Sequence, residues 1–121
     1  MARARITDVA GGTAVAAALA GGADRDTTAM AVRYLLQLLA DDAPGNSVEV
    51  RVPPFGAVQC IEGPGHTRGT PPNVVEMDAA TWLAIATGAE QWAAARARGV
   101  IAASGSRADL SQHLPLHWQR A

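Results

Sequence analysis

The sequence has very little of several residue types on which common functional sites are built. Its 121 residues include no lysine, one cysteine, one tyrosine and one phenylalanine. A single cysteine excludes an internal disulfide and a zinc site made of several cysteines, and it is typical of a reducing compartment. We therefore expect a cytoplasmic protein that carries no metal and no cofactor.

Clustered charge and long apolar runs are also missing. The formal net charge is −1, and the ten basic residues, all arginines, are spread along the chain. A nucleic-acid-binding face needs grouped positive charge, so no nucleic-acid partner is expected. No run reaches the roughly 18 apolar residues of a membrane-spanning helix. In residues 1–23, Asp8 and the Gly11–Gly12 pair interrupt an alanine-rich patch, so we predict no export signal.

Apolar residues follow helical periodicity in some segments and strand periodicity in others. From Val32 to Leu39 they recur at the helical spacing, which predicts a helix that is capped by Asp26 or a following threonine and is interrupted inside only by Arg33 and Gln37. Elsewhere valines alternate with charged residues, as in a half-buried strand. The remaining predictions are a helix over 13–20, strands over 47–53, 56–62, 73–77 and 99–104, and helices over 78–88, 89–99 and 107–114. This order indicates an α+β fold with helices mainly over one face of a sheet.

The stretch EGPGHTRGTPPN, residues 62–73, has two interpretations. As a functional loop, His66 is a candidate general base and Arg68 a candidate anion-binding group, with backbone N–H groups exposed by the glycines. As a structural turn, the same glycines and prolines are what a tight connection between strands requires. The stretch matches neither the phosphate-binding loop nor the dinucleotide fingerprint. The sequence leaves both interpretations open.

Two other candidate sites are weaker. Cys60 and His66 are a possible nucleophile and base, but a cysteine inside a strand is usually a small buried hydrophobic residue. His113 and His117 are separated by a proline that breaks the helical face a metal pair would need, so we interpret them as surface residues. No catalytic or metal site is therefore predicted.

The segment NVVEMDAATWLAIATGAEQWAAARARGVIAASG, residues 73–105, resembles the sterol carrier protein type 2 family. It contains a strand leading into an acidic cap, a helix ended by glycine, a second short helix and an apolar strand between glycines. The upstream segment 31–76 is similar to the bacterial branch of that family, whose members are described as sterol carrier family proteins. The resemblance covers about residues 29–116, which suggests an N-terminal segment, 1–25, and a domain, 26–121.

The resemblance implies a mainly antiparallel sheet of about five strands covered by helices on one face. Between sheet and helices it implies an apolar cavity for a fatty acyl, sterol-like or terpenoid lipid, which is bound or transferred without chemistry. The implied lining residues are Val50, Val52, Val58, Cys60, Val75, Met77, Trp82, Leu83, Ile85, Trp92, Ile101, Leu110 and Leu114. His66 and Arg68 are placed to hold an anionic head at the mouth. The family's third strand falls in the proline-rich stretch 62–73, where this chain departs from the pattern.

A different class of function also fits the sequence. In this alternative the chain is an interaction or accessory module, a homodimer or the partner of an enzyme, and its core is filled by side chains. Trp82 and Trp92 are compatible with both hypotheses. They would line the cavity of a lipid-binding protein, or fill the core of an interaction module.

Overall fold

A computed structural model describes residues 4–64 and 72–120. In these residues four α-helices and four strands alternate in groups, followed by one turn of 3₁₀ helix. The helices are α1 (Asp8–Ala20), α2 (Arg25–Asp42), α3 (Ala79–Thr87) and α4 (Trp92–Ala97). The strands are β1 (Val48–Val52), β2 (Gly56–Cys60), β3 (Asn73–Glu76) and β4 (Ala102–Ser104), and the 3₁₀ turn is Ser111–His113.

The sheet is mixed, and its strand order is β2-β1-β3-β4. β1 pairs with β2 in antiparallel and with β3 in parallel, and β3 pairs with β4 in antiparallel. The expectation of about five, mainly antiparallel strands is therefore corrected to four strands within the described residues, with a parallel central pair. The parallel pair arises because β2 ends and β3 begins at the same end of β1, opposite Val48. The third strand that the resemblance implied falls largely in residues 65–71, outside the described residues.

One face of the sheet is covered by helices, as predicted. Along β1 the valines at 48, 50 and 52 are fully buried, whereas Glu49 and Arg51 on the other face are half-buried and ion-paired to each other. Because side chains alternate across a strand, this pattern assigns the core to a single face. The α+β class with helices on one side is confirmed.

Helix α2 lies at the centre of the core. It begins at Arg25, earlier than predicted, because Asp24 rather than Asp26 or a following threonine caps it, accepting a hydrogen bond from the backbone N–H of Thr27 at 2.8 Å. Large buried side chains lie on several sides of this helix. These residues are Val32, Tyr34, Leu35, Leu36, Leu38 and Leu39. The predicted division of the chain at residue 26 stays a prediction, and in the structure Ala14 and Val15 of α1 belong to the same core cluster as these residues.

Several element ends differ from the predictions for local reasons. The strand predicted over 56–62 ends at Cys60, because Ile61 has a left-handed φ of 66° and its N–H donates to the carbonyl of Ala43 at 2.7 Å. The strand predicted over 99–104 is β4 alone, since Val100 remains hydrogen-bonded to the end of α4. The helix predicted over 107–114 is only the 3₁₀ turn, which starts where Asp109 accepts from the N–H of Ser111.

Helix α1 is longer than the predicted 13–20, and it includes both glycines of the Gly11–Gly12 pair. Thr7 caps its start by accepting from the N–H of Ala10 at 3.1 Å. Gly11 lies against the ring of Tyr34, where an added Cβ would be 2.2 Å from the nearest ring atom. Tyr34 also donates its hydroxyl to Asp8 at 2.7 Å, so the ring is held in place from α1 itself. The close approach of the two helices therefore requires glycine at position 11.

The adjacent glycines 11 and 12 provide a matched pair of variants. We expect Gly11→Ala to lower the free energy of unfolding by about 1–3 kcal/mol, because the new methyl group overlaps the Tyr34 ring. Gly12→Ala has only the carbonyl oxygen of Trp118 within reach, at 3.9 Å. It is expected to raise the free energy of unfolding by about 0.5–1 kcal/mol through helix propensity. Urea unfolding of both variants measures the difference, and equal effects would contradict the packing of α1 on α2.

Candidate functional site

The predicted apolar lining residues come together in one hydrophobic core between the helices and the sheet. Nine of these residues are buried: Val50, Val52, Cys60, Val75, Met77, Trp82, Ile85, Ile101 and Leu110. The other apolar ones are partly buried and pack against that core: Val58, Leu83, Trp92 and Leu114. His66 and Arg68, the predicted residues at the mouth, lie outside the described residues.

Side chains fill the centre of this layer. Trp82 is fully buried, and its indole N–H donates to the carbonyl of Val32 at 3.3 Å, which ties α3 to α2. Val50 and Val52 of β1 are equally inaccessible to solvent, and Ile85 is nearly so. A ligand that approaches the folded protein therefore meets other surfaces before it meets these residues.

Cys60 behaves as a core residue. Its side chain is buried, and burial raises the pKa of the thiol to about 11. The thiolate is the nucleophilic form of cysteine, and this pKa leaves almost none of it at neutral pH. The interpretation of Cys60 as a small buried hydrophobic residue is confirmed, and its proposed partner His66 is not among the described residues.

The two C-terminal histidines lie apart from any cluster of metal ligands. His117 is exposed and His113 is half-buried in the 3₁₀ turn. Over residues 4–64 and 72–120, no group of three or more His, Cys, Asp or Glu side chains is arranged to hold a metal ion. In the same residues no helix is both long and apolar enough to cross a membrane.

A first surface depression, the Trp92 groove, lies where α3, α4 and the 3₁₀ turn meet. It has a volume of about 170 Å³ and includes three predicted residues, Ile85, Trp92 and Leu114. Glu90 on its rim is bound by Arg98 through two hydrogen bonds of 2.7 and 2.8 Å. Small-molecule sites usually have roughly 300–1,000 Å³, so this groove is too small for more than a fragment of a lipid.

A second depression, the edge groove, runs between α2 and the edge strand β2 and has a volume of about 380 Å³. Its apolar lining consists of Ala4, Ile6, Leu36, Phe55, Ala57 and Val58 beside Gly56, and its polar lining of Arg5, Arg33 and Gln37. Leu36 belongs to the core and Val58 packs against it, so the floor of the groove is the outer surface of the helix–sheet layer.

Gly56 is the reason that the edge groove is open. It points to the same face as Val58 and Cys60, and a Cβ at this position would be 3.4 Å from Cδ1 of Leu36 and 3.6 Å from Cγ of Arg33. Any side chain larger than hydrogen would therefore project between the two α2 residues. The depression is space that the sequence leaves empty on the inner face of the strand.

The N-terminal segment forms the second wall of the edge groove. The side-chain amide of Gln37 makes two hydrogen bonds with Ile6, accepting from its N–H and donating to its carbonyl, both at 2.9 Å. Arg5 also forms a two-point ion pair with Asp41, with distances of 3.2 and 2.6 Å. These contacts hold the chain before α1 along the side of α2.

The rim of the edge groove carries positive charge. Arg33 is half-buried, and its Nε donates to the carbonyl of Phe55 at 2.8 Å. Arg25, two helical turns earlier on α2, lies over the Phe55 ring at 5.4 Å from the ring centre. In the described parts of the chain neither arginine forms an ion pair with a carboxylate, whereas the charge of Arg5 is balanced by Asp41.

Sequence reasoning did not identify this site, although a signal was present. Arg33 and Gln37 are the two polar residues inside an otherwise apolar stretch of α2, and both line the edge groove. The two lie four residues apart, so they share one side of the helix, next to the apolar stripe that contains Leu36. Gly56 within an alternating strand was a second signal of the same kind.

Comparison with known proteins gave one family match. A family model described as "Bacterial SCP ortholog" matches residues 24–116, which include α2, the whole sheet, α3 and α4. Helix α1 and the segment that closes the edge groove lie before the matched region. Comparison with curated proteins found no match.

The burial of Cys60 leads to a first prediction for this site. A disulfide-forming thiol reagent is expected to label the native protein only as fast as the protein unfolds, whereas denatured protein reacts at once. Because the pKa is raised in the folded state, the stability linked to this proton is full at neutral pH and is lost as the pH rises through about 11. Fast labelling of native protein at neutral pH would contradict the burial.

The contact between Gln37 and Ile6 leads to a second prediction. Gln37→Ala removes both hydrogen bonds, so hydrogen exchange at the Ile6 amide is expected to become faster by about tenfold or more. Gln112→Ala, an exposed glutamine in the 3₁₀ turn, is the matched control and is expected to change nothing there. Unchanged exchange at Ile6 in Gln37→Ala would show that the segment is held by other contacts.

Proposed function

The chain belongs to the family of bacterial SCP (sterol carrier protein) orthologs, and from this we propose that it binds or transfers an apolar lipid without altering it chemically. The ligand is a fatty acyl, sterol-like or terpenoid molecule. The family match supports lipid binding in general terms. The choice among these ligands and the position of the site are our proposal.

The observation that carries the proposal is the edge groove. It is a depression of about 380 Å³ that is open to solvent, and its lining includes Leu36 of the core and Val58, which packs against the core. Its volume falls within the range of roughly 300–1,000 Å³ found for small-molecule sites, as do the volumes of three other surface depressions, so the volume alone does not distinguish it. Each methylene group buried there contributes about 0.8 kcal/mol, so a lipid tail of moderate length would be held by apolar contact alone.

The predicted lining residues remain part of the proposed site as the layer behind this floor. A tail that passed Leu36 and Val58 would next reach Cys60 and the valines of β1. His66 and Arg68 also remain proposed as groups near the ligand head. No reaction is included, and the protonated state of Cys60 supports a binding rather than a catalytic role.

A second candidate function is an interaction module, which the surface of α1 favours. Val9 and Leu19 on this helix are 68% and 45% exposed, and both lie before the family match. Together with Met30 of α2, they are the exposed large apolar side chains of the described residues, and a surface that contacts another protein would have to join such side chains into one patch. In this case the chain would form a homodimer or assist an enzyme, with the filled core acting only as a scaffold.

Native mass spectrometry with palmitate, hexadecanol and cholesterol tests the lipid proposal. We expect one bound lipid per chain, and we expect Gly56→Val to weaken binding by about tenfold or more, because its side chain occupies the groove between Leu36 and Arg33. The matched control is Gln59→Val, which places the same side chain on the outer face of the same strand.

The outcomes separate the two functions. Binding to the wild-type protein and the Gln59→Val variant, but not to Gly56→Val, supports lipid binding at the edge groove. If none of the three lipids binds and light scattering shows a dimer that Val9→Asp dissociates, the interaction module is the correct function.

A further inference from the structure

We infer that the edge groove is specific for a lipid with a carboxylate head, a fatty acid, and that Arg33 holds this carboxylate while the tail lies over Leu36 and Val58. This inference rests on the proposed function and names its ligand class. It assigns the position of the head group to a residue of α2 rather than to the predicted loop residues.

The position of Arg33 suits a carboxylate. Its Nε is held by the Phe55 carbonyl at 2.8 Å, and its Cγ lies beside the open position at Gly56. Within the described residues its two Nη groups have no hydrogen-bond partner. A guanidinium fixed at one nitrogen is a pre-oriented donor, and Arg binds carboxylates through such parallel N–H groups.

The charges around the groove select the anion. The nearby carboxylate of Asp41 is already bound by Arg5, so it does not neutralise Arg33. Arg25 adds a second positive charge next to Phe55. No Asp or Glu is among the described residues that line the groove, so an incoming carboxylate would meet Arg33 without a lining carboxylate that competes for it, whereas a sterol or an alcohol offers no charge.

The tail position follows from the apolar lining. Leu36 and Val58 form the floor, and Phe55 and Ile6 lie on either side of it. Ile6 belongs to the segment held by Gln37, which lies outside the region matched by the family. The groove is thus completed by the N-terminal segment, which lies before the matched region.

Arg68 is the competing head-group residue. Strand β2 begins at Gly56 in the edge groove and ends at Cys60, after which the stretch that contains Arg68 follows. The two arginines can be separated by parallel variants, Arg33→Met and Arg68→Met. Arg96→Met on α4 serves as a control for loss of one positive charge away from the groove.

The experiment measures the affinity of the full-length protein for palmitate and for hexadecanol, which has the same tail without the charge. Arg33→Met is expected to weaken palmitate binding by about tenfold or more and to leave hexadecanol binding unchanged, as expected for loss of charge-assisted hydrogen bonds. Arg96→Met is expected to bind both probes like the wild type, and Arg68→Met is expected to lose less palmitate affinity than Arg33→Met. Salt should weaken palmitate binding to the wild type more than hexadecanol binding.

Arg33→Lys and a spectroscopic readout keep the test valid if Arg33→Met is poorly folded. Lysine retains the charge but lacks the planar fork, so an intermediate loss of palmitate affinity is expected. Carbon-13 NMR of carboxyl-labelled palmitate should show a lower pKa for the bound carboxyl in the wild type than in Arg33→Lys, because the fixed guanidinium stabilises the carboxylate.

Each outcome decides the inference. A palmitate-specific loss that is largest in the Arg33 variants supports it. Equal loss of both probes in Arg33→Met, no loss in Arg33→Met, or a palmitate-specific loss in Arg68→Met as large as that in Arg33→Met would overturn it while leaving lipid binding in place. If neither probe binds the wild type but cholesterol does, the carboxylate specificity is wrong and the general function stands. If no lipid binds at all, the proposed function itself is wrong.

Discussion

The fold depends on the burial of α2, because this helix has apolar side chains around most of its circumference. A helix of this kind cannot be stable with one face on a sheet and the other in water. The sheet covers one side through Leu36 and its neighbours, α3 covers another through Trp82, and α1 covers a third through the contact of Gly11 with Tyr34. The arrangement of the other elements follows from the need to enclose α2.

The same constraint explains why the chain has an ordered segment before the family match. Without α1, the side of α2 that carries Tyr34 would be exposed, and exposing a large apolar side chain costs roughly 1.5–3 kcal/mol. Ala14 and Val15 fill that side, and Asp8 satisfies the Tyr34 hydroxyl. Burial and this hydrogen bond raise the pKa of Tyr34 to about 12, so the contact is insensitive to pH in the neutral range. The edge groove is a consequence, because the chain leading into α1 must pass along α2 beside β2.

The sequence predicted those features that depend on local periodicity and on specific terminating residues. The buried valines of β1, the cap of α3 by Asp78 and its end at Gly88 with a left-handed φ of 89° all follow from such patterns. The parallel pairing of β1 with β3 could not be predicted from these patterns, because it depends on the path of the connection between β2 and β3. The edge groove did not follow either, because it needs Gly56, Arg33 and Ile6 from three separate segments. The periodicity of one segment does not show which other segments it contacts in the folded protein.

Because side chains fill the core, a ligand could enter it only at a cost in free energy. To accept a tail between the sheet and the helices, the protein would have to separate Val50 and Val52 from Ile85, all of them almost completely buried. Exposing these side chains would cost on the order of 5 kcal/mol, which would reduce the apparent affinity by roughly 4,000-fold. The edge groove requires no such separation, because the space beside Gly56 is already open and the apolar floor is already formed. If the proposed function is correct, a lipid would therefore bind first along α2 and β2, and would reach the deeper predicted residues only by replacing the side-chain contacts that it breaks.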